Sequence, residues 1–273
     1  MDRFTISCQE LLNSMDLYYV LDVRKKSEYD KSHIYGAYNL PVDYWLKTNN
    51  ENGIARGDSL ITTEDYCRLL DYMGIDNNTP IVVYDNNSGR GAARFWWVAH
   101  YFGLLNVHIL DGGWSAWEDG NFPVTDYQPD FIANKKFIPA INPSLMVSAS
   151  EVLFFKDRII VDARSDDEWF CRDTRGNPRM GHIPNALHIE WSSFLKTIGG
   201  IPYFRDKEEI RNIMNSRNIK LNDRITAYCQ AGVRASVVAF ALSLAGFSSV
   251  SIYDGSMYEW SRNPCLPLEC EEE

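Results

Sequence analysis

A cysteine at the end of an apolar run is the residue of this chain best placed to act as a nucleophile. The stretch "ITAYCQAGVRAS" covers 225–236, with Cys229 after the apolar run and Arg234 five positions later. In an open α/β sheet, ligands bind beyond the carboxyl ends of the strands. A loop from a strand to a helix can turn successive backbone N–H groups inward, and the helix N-terminus adds its positive end. The sequence therefore predicts that Cys229 lies in an anion-binding loop.

The types of the loop residues suit an anionic sulfur. Small Ala231 and Gly232 let the backbone approach a bound atom closely, and Arg234 adds a charge or a planar fork for an anionic substrate. Cys229 is the predicted nucleophile. The residues predicted to bind the substrate are the five that follow it, Gln230, Ala231, Gly232, Val233 and Arg234. A buried cysteine at a strand end can also serve packing alone.

One pattern is written twice along the chain, and this comparison favours the chemical interpretation. An apolar run, Asp-x-Arg and a later His-Ile pair occur in 18–41 and again in 158–189. The following parts also match, "PIVVYDNNSGRGAARFWWVAHYFG" with "RITAYCQAGVRASVVAFALSLAGF". At the position of Cys229 the first copy carries Asp85, and a carboxylate cannot act as a sulfur nucleophile. One active and one inactive copy of a domain are therefore expected.

Short apolar runs alternate with helical segments in both copies, which predicts an α/β fold with a mostly parallel sheet and helices on both faces of each domain. The predicted strands are 18–23, 81–84 and 107–110 in the first copy and 159–162, 225–228 and 250–253 in the second. Gly103 and Gly246 mark helix ends. The predicted organisation is an inactive domain at 1–125, a proline-containing linker at 126–143 and a catalytic domain at 144–273. Four tryptophans are predicted in the core or at a domain interface, Trp96, Trp97, Trp114 and Trp117.

Composition narrows the choice of partners and compartment. The chain has 273 residues and a net charge of −10, which argues against nucleic acid or an anionic membrane as a partner. No apolar run suits a signal peptide or a membrane span. The six cysteines are scattered without a CxxC pair, so the sequence predicts reduced thiols and a cytoplasmic protein. Neither the cysteines nor the five histidines have the spacing of metal ligands.

The chain resembles the tandem-domain rhodaneses, which are thiosulfate or 3-mercaptopyruvate sulfurtransferases. The resemblance covers nearly the whole chain, and the motifs that carry it are "DVRKKSEYDKSHIYGA", "DARSDDEW…RMGHIPNA", "CQAGVRAS", "DGGWSAW" and "DGSMYEW". It implies two rhodanese-like domains and double displacement, in which Cys229 takes the outer sulfur of a donor as a persulfide. The implied acceptor is cyanide or a thiol, such as thioredoxin or glutathione, and no metal or organic cofactor is implied.

The resemblance also bears on the donor. Mercaptopyruvate enzymes of the family resemble Cys-Gly-Ser-Gly-Val-Thr in the loop, without charge, whereas Arg234 suits the thiosulfate dianion. We predict thiosulfate as the donor, with 3-mercaptopyruvate as the alternative. Where many members have a donor-binding arginine soon after Asp-Ala-Arg, this chain has Asp167 and Glu168. Among the nearby arginines, Arg179 is the predicted replacement, unless this basic run is only a solvated loop.

Two other functions compete with small-molecule sulfur transfer. A phosphatase or arsenate reductase also uses a thiolate in an anion loop, but there five residues separate the cysteine from the arginine, and here four do. Alternatively, Cys229 accepts sulfur from one protein and passes it to another, as a sulfur-relay or binding module. The acidic end "LECEEE" suits docking in that case, although charged tails are usually only solvated.

Overall fold

A computed structural model describes residues 4–46, 60–131, 133–154 and 156–270. These residues group into two compact units. The first unit consists of residues 4–46, 60–142 and 197–204, and the second of residues 143–196 and 205–270. Each unit contains one five-stranded sheet in its described residues.

The first unit follows the predicted alternation of strands and helices. Its strands are β1 (Thr5–Ile6), β2 (Tyr19–Asp22), β3 (His33–Ile34), β4 (Tyr38–Asn39), β5 (Ile81–Tyr84), β6 (Val107–Leu110) and β7 (Val124–Thr125). Its helices are α1 (Cys8–Leu12), α2 (Lys26–Tyr29), α3 (Thr63–Tyr72), α4 (Arg90–Phe102) and α5 (Gly113–Asp119). Single 3₁₀ turns cover Met15–Leu17 and Val42–Tyr44.

The main sheet of the first unit is parallel, in the order β1-β6-β5-β2-β4. Strand β5 lies in the centre and every residue of it is buried, which is why its sequence is an unbroken apolar run. Helix α4 ends at Gly103, whose φ of +91° favours glycine, as the sequence predicted. The four predicted core tryptophans are all buried.

The second unit repeats this arrangement. Its strands are β8 (Met146–Val147), β9 (Ile159–Asp162), β10 (Leu187–His188), β13 (Ile225–Tyr228) and β14 (Val250–Tyr253). Its helices are α6 (Ala149–Phe154), α7 (Asp166–Trp169), α8 (Lys207–Asn215), α9 (Val233–Leu244) and α10 (Ser256–Trp260). Its 3₁₀ turns cover Pro143–Leu145 and Trp191–Phe194. Strands β11 (Leu195–Ile198) and β12 (Ile201–Phe204) form a separate two-stranded sheet, of which residues 197–204 group with the first unit.

The second sheet is also parallel, in the order β10-β9-β13-β14-β8. Strand β13 lies in the centre and is fully buried. Helix α9 follows it and is buried from Ala235 to Leu242, so it is apolar on nearly all sides rather than amphipathic. The α/β class and the mostly parallel sheets predicted from the sequence are confirmed.

The second domain predicted from the sequence runs unbroken from 144 to 273, whereas residues 197–204 group with the first unit. There the ring of Tyr203 lies so close to Gly112 that a Cβ on this glycine would approach it to 2.6 Å. The amide of Phe204 donates to the Asp111 carboxylate at 3.0 Å. These contacts depend on the tertiary fold, so the sequence pattern could not indicate them.

The segment proposed as a linker, 126–143, is held in place over its second half. The amide of Ala140 donates to the carbonyl of Phe102 at 2.9 Å, and the amide of Asn142 to that of Tyr101 at 2.8 Å.

No helix in the described part of the chain is long and apolar enough to cross a membrane.

Candidate active site

Cys229 lies at the carboxyl end of the central strand β13, immediately before the turn into α9. The turn ends at Gly232, which caps α9 with a φ of +77°, a conformation that favours glycine. The side chain of Cys229 is only 1% exposed. The predicted loop therefore exists, and it brings Cys229 and the five residues after it to the N-terminus of a twelve-residue helix.

Several backbone amides that follow this cysteine in the sequence have no hydrogen-bond acceptor within the described residues. Within the described residues, no hydrogen bond is made by the amides of the loop and first helical turn at Gln230, Ala231, Val233, Arg234 and Ala235. The first amides of a helix have no acceptor within the helix, and together with the helix dipole they favour an anion. The loop therefore offers several donors to a negatively charged sulfur.

Ser256, the first residue of α10, binds the loop through its hydroxyl, and sequence reasoning missed it. Its hydroxyl oxygen accepts hydrogen bonds from the amides of Cys229 and Gly232, both at 3.2 Å, and its hydroxyl donates to the carbonyl of Tyr253. The side chain is fully buried. A signal existed in the repeat, because "DGSM" has this serine where "DGGW" has Gly113.

The charge of Arg234 is balanced by Glu168 of α7. Both terminal nitrogens of Arg234 donate to the Glu168 carboxylate, one of them at 2.8 Å. Burial would lower the pKa of Arg234, but its hydrogen bonds to Glu168 and the charge of Cys229 raise it above the ordinary value. The guanidinium is therefore held as a cation by Glu168, which already occupies its fork.

A second contact from the same segment reaches the loop at Gln230. The amide groups of Gln230 and Asn177 form two reciprocal hydrogen bonds, at 2.8 and 2.9 Å. Residues 168–177, which we call the flanking segment, thus contact residues 229–234, which we call the catalytic loop. Glu168 makes the contact at one end of the segment and Asn177 at the other.

The equivalent loop of the first unit is filled by its own side chain. Asp85 accepts hydrogen bonds from four backbone amides: Asn87 at 2.9 Å, Gly89 at 3.0 Å, Gly91 at 2.5 Å and Ala92 at 3.0 Å. The carboxylate occupies the place where a bound anion would interact with the loop. The second loop has no such internal anion among its described contacts.

The two loops differ in length by one residue. Four positions separate Asp85 from the capping Gly89, and three separate Cys229 from Gly232. This accounts for the intervals to the next matching Asp-Gly pair of the repeat, 26 positions from Asp85 to Asp111 and 25 from Cys229 to Asp254. Counted from the capping glycine, Asn87, Gly91 and Ala92 correspond to three residues whose amides are unbonded in the second loop.

The rhodanese-like domain matches this chain twice, over residues 7–119 and 148–263. The chain belongs to the rhodanese family. Each match contains one of the two loops, so the first rhodanese domain carries Asp85 and the second carries Cys229.

Several relatives are similar over most of their length. A thiosulfate sulfurtransferase of Corynebacterium glutamicum is 31% identical over 89% of this chain and 82% of its own. The sulfur carrier protein TtuD of Thermus thermophilus is 28% identical over 90% and 88%. The 3-mercaptopyruvate sulfurtransferase of Escherichia coli is 27% identical over 89% and 85%. A solved structure of an EanB variant with ergothioneine shares the fold, with a TM-score of 0.84, 24% identity and coverage of 99% of this chain and 72% of that one.

Arg179, predicted to bind the donor of this rhodanese, is engaged elsewhere. Its guanidinium donates to four backbone carbonyls, those of Trp260, Ser261, Asn263 and Leu266, at 2.5–2.9 Å. The side chain holds the segment after α10, and its contacts lend no support to a role in donor binding. The reason is that this arginine lies beside the C-terminal segment, a proximity that only the fold creates.

The cysteines contradict the expectation that all thiols are unpaired. Cys171 and Cys270 form a disulfide, with Cα atoms 6.3 Å apart and a sequence separation of 99. Cys8, Cys67 and Cys265 are free, as is Cys229. Sequence spacing could not reveal the pair, because the fold brings the two positions together. Among the described residues, no cluster of histidine, cysteine and acidic side chains could hold a metal ion.

Proposed function

We propose that this rhodanese moves sulfane sulfur from thiosulfate to a thiol or to cyanide through a persulfide on Cys229. The chain is a sulfurtransferase, and it acts between a sulfur donor and a sulfur acceptor. The observation that carries the proposal is the pair of loops. Three of the four amides that bind the Asp85 carboxylate have counterparts after Cys229 that make no hydrogen bond within the described residues.

The reaction has two half-reactions. The Cys229 thiolate attacks the outer sulfur of thiosulfate, the S–S bond of the donor breaks, and sulfite leaves with the bonding electrons. The outer sulfur of the resulting persulfide carries the negative charge, and the amides of Gln230, Arg234 and Ala235 stabilise it by hydrogen bonds. An acceptor thiolate or cyanide then attacks that sulfur. A new persulfide or thiocyanate leaves, and the Cys229 thiolate is restored.

Arg234 and Glu168 set the charge next to this chemistry. Because Glu168 holds the guanidinium, Arg234 acts on the sulfur from a fixed position and does not follow the donor. The pair is neutral as a whole, so the amides and the helix terminus supply most of the attraction for the dianion. Thiosulfate is the proposed donor because unbonded amides at a helix N-terminus suit a compact dianion and because a thiosulfate sulfurtransferase is among the relatives. The alternative donor is 3-mercaptopyruvate, favoured by the Escherichia coli relative.

A sulfur relay between proteins is a second candidate, favoured by the similarity to a sulfur carrier protein. In that case Cys229 receives sulfur from a protein donor, and free thiosulfate reacts poorly. The glutamates at 271–273, predicted above to suit docking, lie outside the described residues. We place either activity in the cytoplasm, where glutathione and thioredoxin would supply acceptor thiols.

Intact mass spectrometry tests the proposal. Reduced protein is freed of reductant and incubated separately with thiosulfate and with 3-mercaptopyruvate. We expect a gain of one sulfur atom from thiosulfate in the wild type and no gain in Cys229→Ser. Cys265→Ser is the matched control, since it removes an exposed free thiol and should gain sulfur normally.

Each result has a definite meaning. A gain only from mercaptopyruvate would keep the persulfide and overturn the donor. A gain from neither, in folded protein that accepts sulfur from a persulfide-bearing protein, would favour the relay. Sulfur retained in Cys229→Ser would refute the role of Cys229.

A further inference from the structure

The disulfide between Cys171 and Cys270 joins the flanking segment to the C-terminal end of the chain. Cys171 follows α7 by two residues, so it lies between Glu168 and Asn177, the two residues of this segment that contact the catalytic loop. The backbone at Cys171 is left-handed, with a φ of +59°. The amides of Arg172 and Asp173 both donate to the carbonyl of Asp167, at 2.7 and 2.9 Å, so the turn is tight.

The other partner, Cys270, belongs to a segment that is docked by contacts of its own. The preceding residue Glu269 exchanges two backbone hydrogen bonds with His182, at 2.8 and 3.0 Å. Leu266 is buried, and the indole of Trp260 donates to the carbonyl of Pro267 at 2.7 Å. These contacts do not need the disulfide, so the two thiols stay near each other after reduction and the bond can form again.

The two cysteines of the disulfide are more exposed than Cys229. Cys270 is exposed and Cys171 partly buried, so a small reagent has access to the pair. Cys229 is buried, and its reactivity depends on how the loop around it is held. Cys265 lies five positions before Cys270 and is exposed, but it is unpaired.

We propose that Cys171 and Cys270 form a thiol–disulfide switch that acts on the catalytic loop through the flanking segment. In the oxidised form the bond fixes the middle of this segment, which keeps Asn177 on Gln230 and Glu168 on Arg234. In the reduced form this restraint is absent, the segment moves more freely, and Cys229 becomes more accessible. The accessibility of Cys229 does not depend on the proposed function, whereas any effect on sulfur transfer rests on it.

The oxidant is a low-molecular-weight disulfide such as oxidised glutathione. One cysteine thiolate attacks a sulfur of this disulfide, its S–S bond breaks, and one glutathione leaves as the thiolate. The second cysteine thiolate attacks the mixed disulfide at the protein sulfur and releases the other glutathione. Two protein thiols are oxidised by two electrons, and one disulfide is reduced to two thiols.

The test uses the full chain equilibrated in buffers of reduced and oxidised glutathione. After removal of glutathione, the rate constant for alkylation of Cys229 by iodoacetamide is followed by peptide mass spectrometry. The rate constant is used in place of the extent, because Cys229 blocked by glutathione does not enter it. Amide hydrogen exchange of residues 172–180 is measured on the same samples.

We expect a peptide linked through Cys171 and Cys270 to accumulate with oxidation, together with at least threefold slower alkylation of Cys229 and slower exchange at 172–180. Cys171→Ser and Cys270→Ser should alkylate at the fast rate in every buffer. Cys265→Ser should behave as the wild type. Absence of the linked peptide at every glutathione ratio would overturn the proposal, and so would equal alkylation and exchange in the two forms. Failure of the proposed function would instead appear as no persulfide on Cys229 in either form.

Discussion

At the scale of single residues, the ion pair between Arg234 and Glu168 joins helix α9 to helix α7. Burial would raise the pKa of Glu168, but the hydrogen bonds and charge of Arg234 lower it below its ordinary value. A carboxylate with a lowered pKa stabilises the fold when it is ionised. That stabilisation is complete above the pKa of the unfolded chain, about 4.3, and is lost as the pH falls through the pKa of the folded protein.

Glu168→Gln should therefore destabilise the protein by about 2 kcal/mol at pH 7, because it leaves a buried guanidinium without its counter-charge. The difference from the wild type should shrink as the pH falls below the pKa of the unfolded chain, since the wild-type carboxylate becomes protonated as the pH passes through its lowered pKa in the folded protein. Urea unfolding at several pH values measures this. Glu28→Gln is the matched control, because Glu28 accepts from the amide of Lys25 before α2 as Glu168 accepts from the amide of Ser165 before α7. A difference that is constant with pH would contradict the assignment.

At the scale of elements, the same buried cluster of an aspartate, an arginine and a tyrosine, which we call the brace, joins the ends of two strands in each domain. In the second domain, Asp162 binds Arg164 at 2.6 Å and accepts from the hydroxyl of Tyr228 at 2.6 Å. In the first domain, Asp22 makes the equivalent contacts, each at 2.6 Å, with Arg24 and with the hydroxyl of Tyr84. Each tyrosine ends a central strand, so the brace fixes the residue from which the adjacent loop starts.

The repeated brace predicts different results from the same substitution. Tyr228→Phe removes a buried hydroxyl that also accepts from the amide of Ile183, at 3.1 Å. It should lower stability by about 1–3 kcal/mol and slow persulfide formation several-fold, because Cys229 is the next residue. Tyr84→Phe should cost similar stability and leave the rate unchanged. Stopped-flow measurement of the thiosulfate half-reaction and thermal unfolding give both values. Equal rates for the two variants would show that the brace does not position the loop.

The elements also show what local sequence can reveal. Strands β5, β6, β9, β13 and β14 lie at the predicted residues, because short, mostly apolar runs rich in β-branched residues are typical of buried strands. The catalytic loop was predicted for the same reason, since the strand, the glycine and the helix are adjacent in the chain. Partners far apart in sequence were missed. Glu168 and Arg234 are 66 positions apart, and no periodicity indicates such a contact.

At the scale of the whole molecule, the same type of loop has a different role in each domain. In the first domain the carboxylate of Asp85 satisfies four amides and stabilises the fold. In the second domain three of the equivalent amides, those of Gln230, Arg234 and Ala235, make no hydrogen bond within the described residues, and stability must come from other contacts. The buried hydroxyl of Ser256, which binds two loop amides, is one such contact.

Removing the internal anion should therefore harm the first domain in a way that a free anion repairs. Asp85→Ala leaves four amides without their acceptor and should cost about 2–4 kcal/mol, since hydrogen bonds to a charged group are strong. Sulfate should raise the melting temperature of this variant more than that of the wild type, because it binds the vacated loop of the folded state only. Cys229→Ala is the control. The Cys229 side chain accepts no hydrogen bond from an amide of the described residues, so this substitution should lower the free energy of unfolding by only about 1 kcal/mol.

Asp85→Ala should still form the persulfide on Cys229 at the wild-type rate. An unchanged melting temperature would mean that the carboxylate does not stabilise the loop, and a lost persulfide would mean that the first domain controls the chemistry of the second.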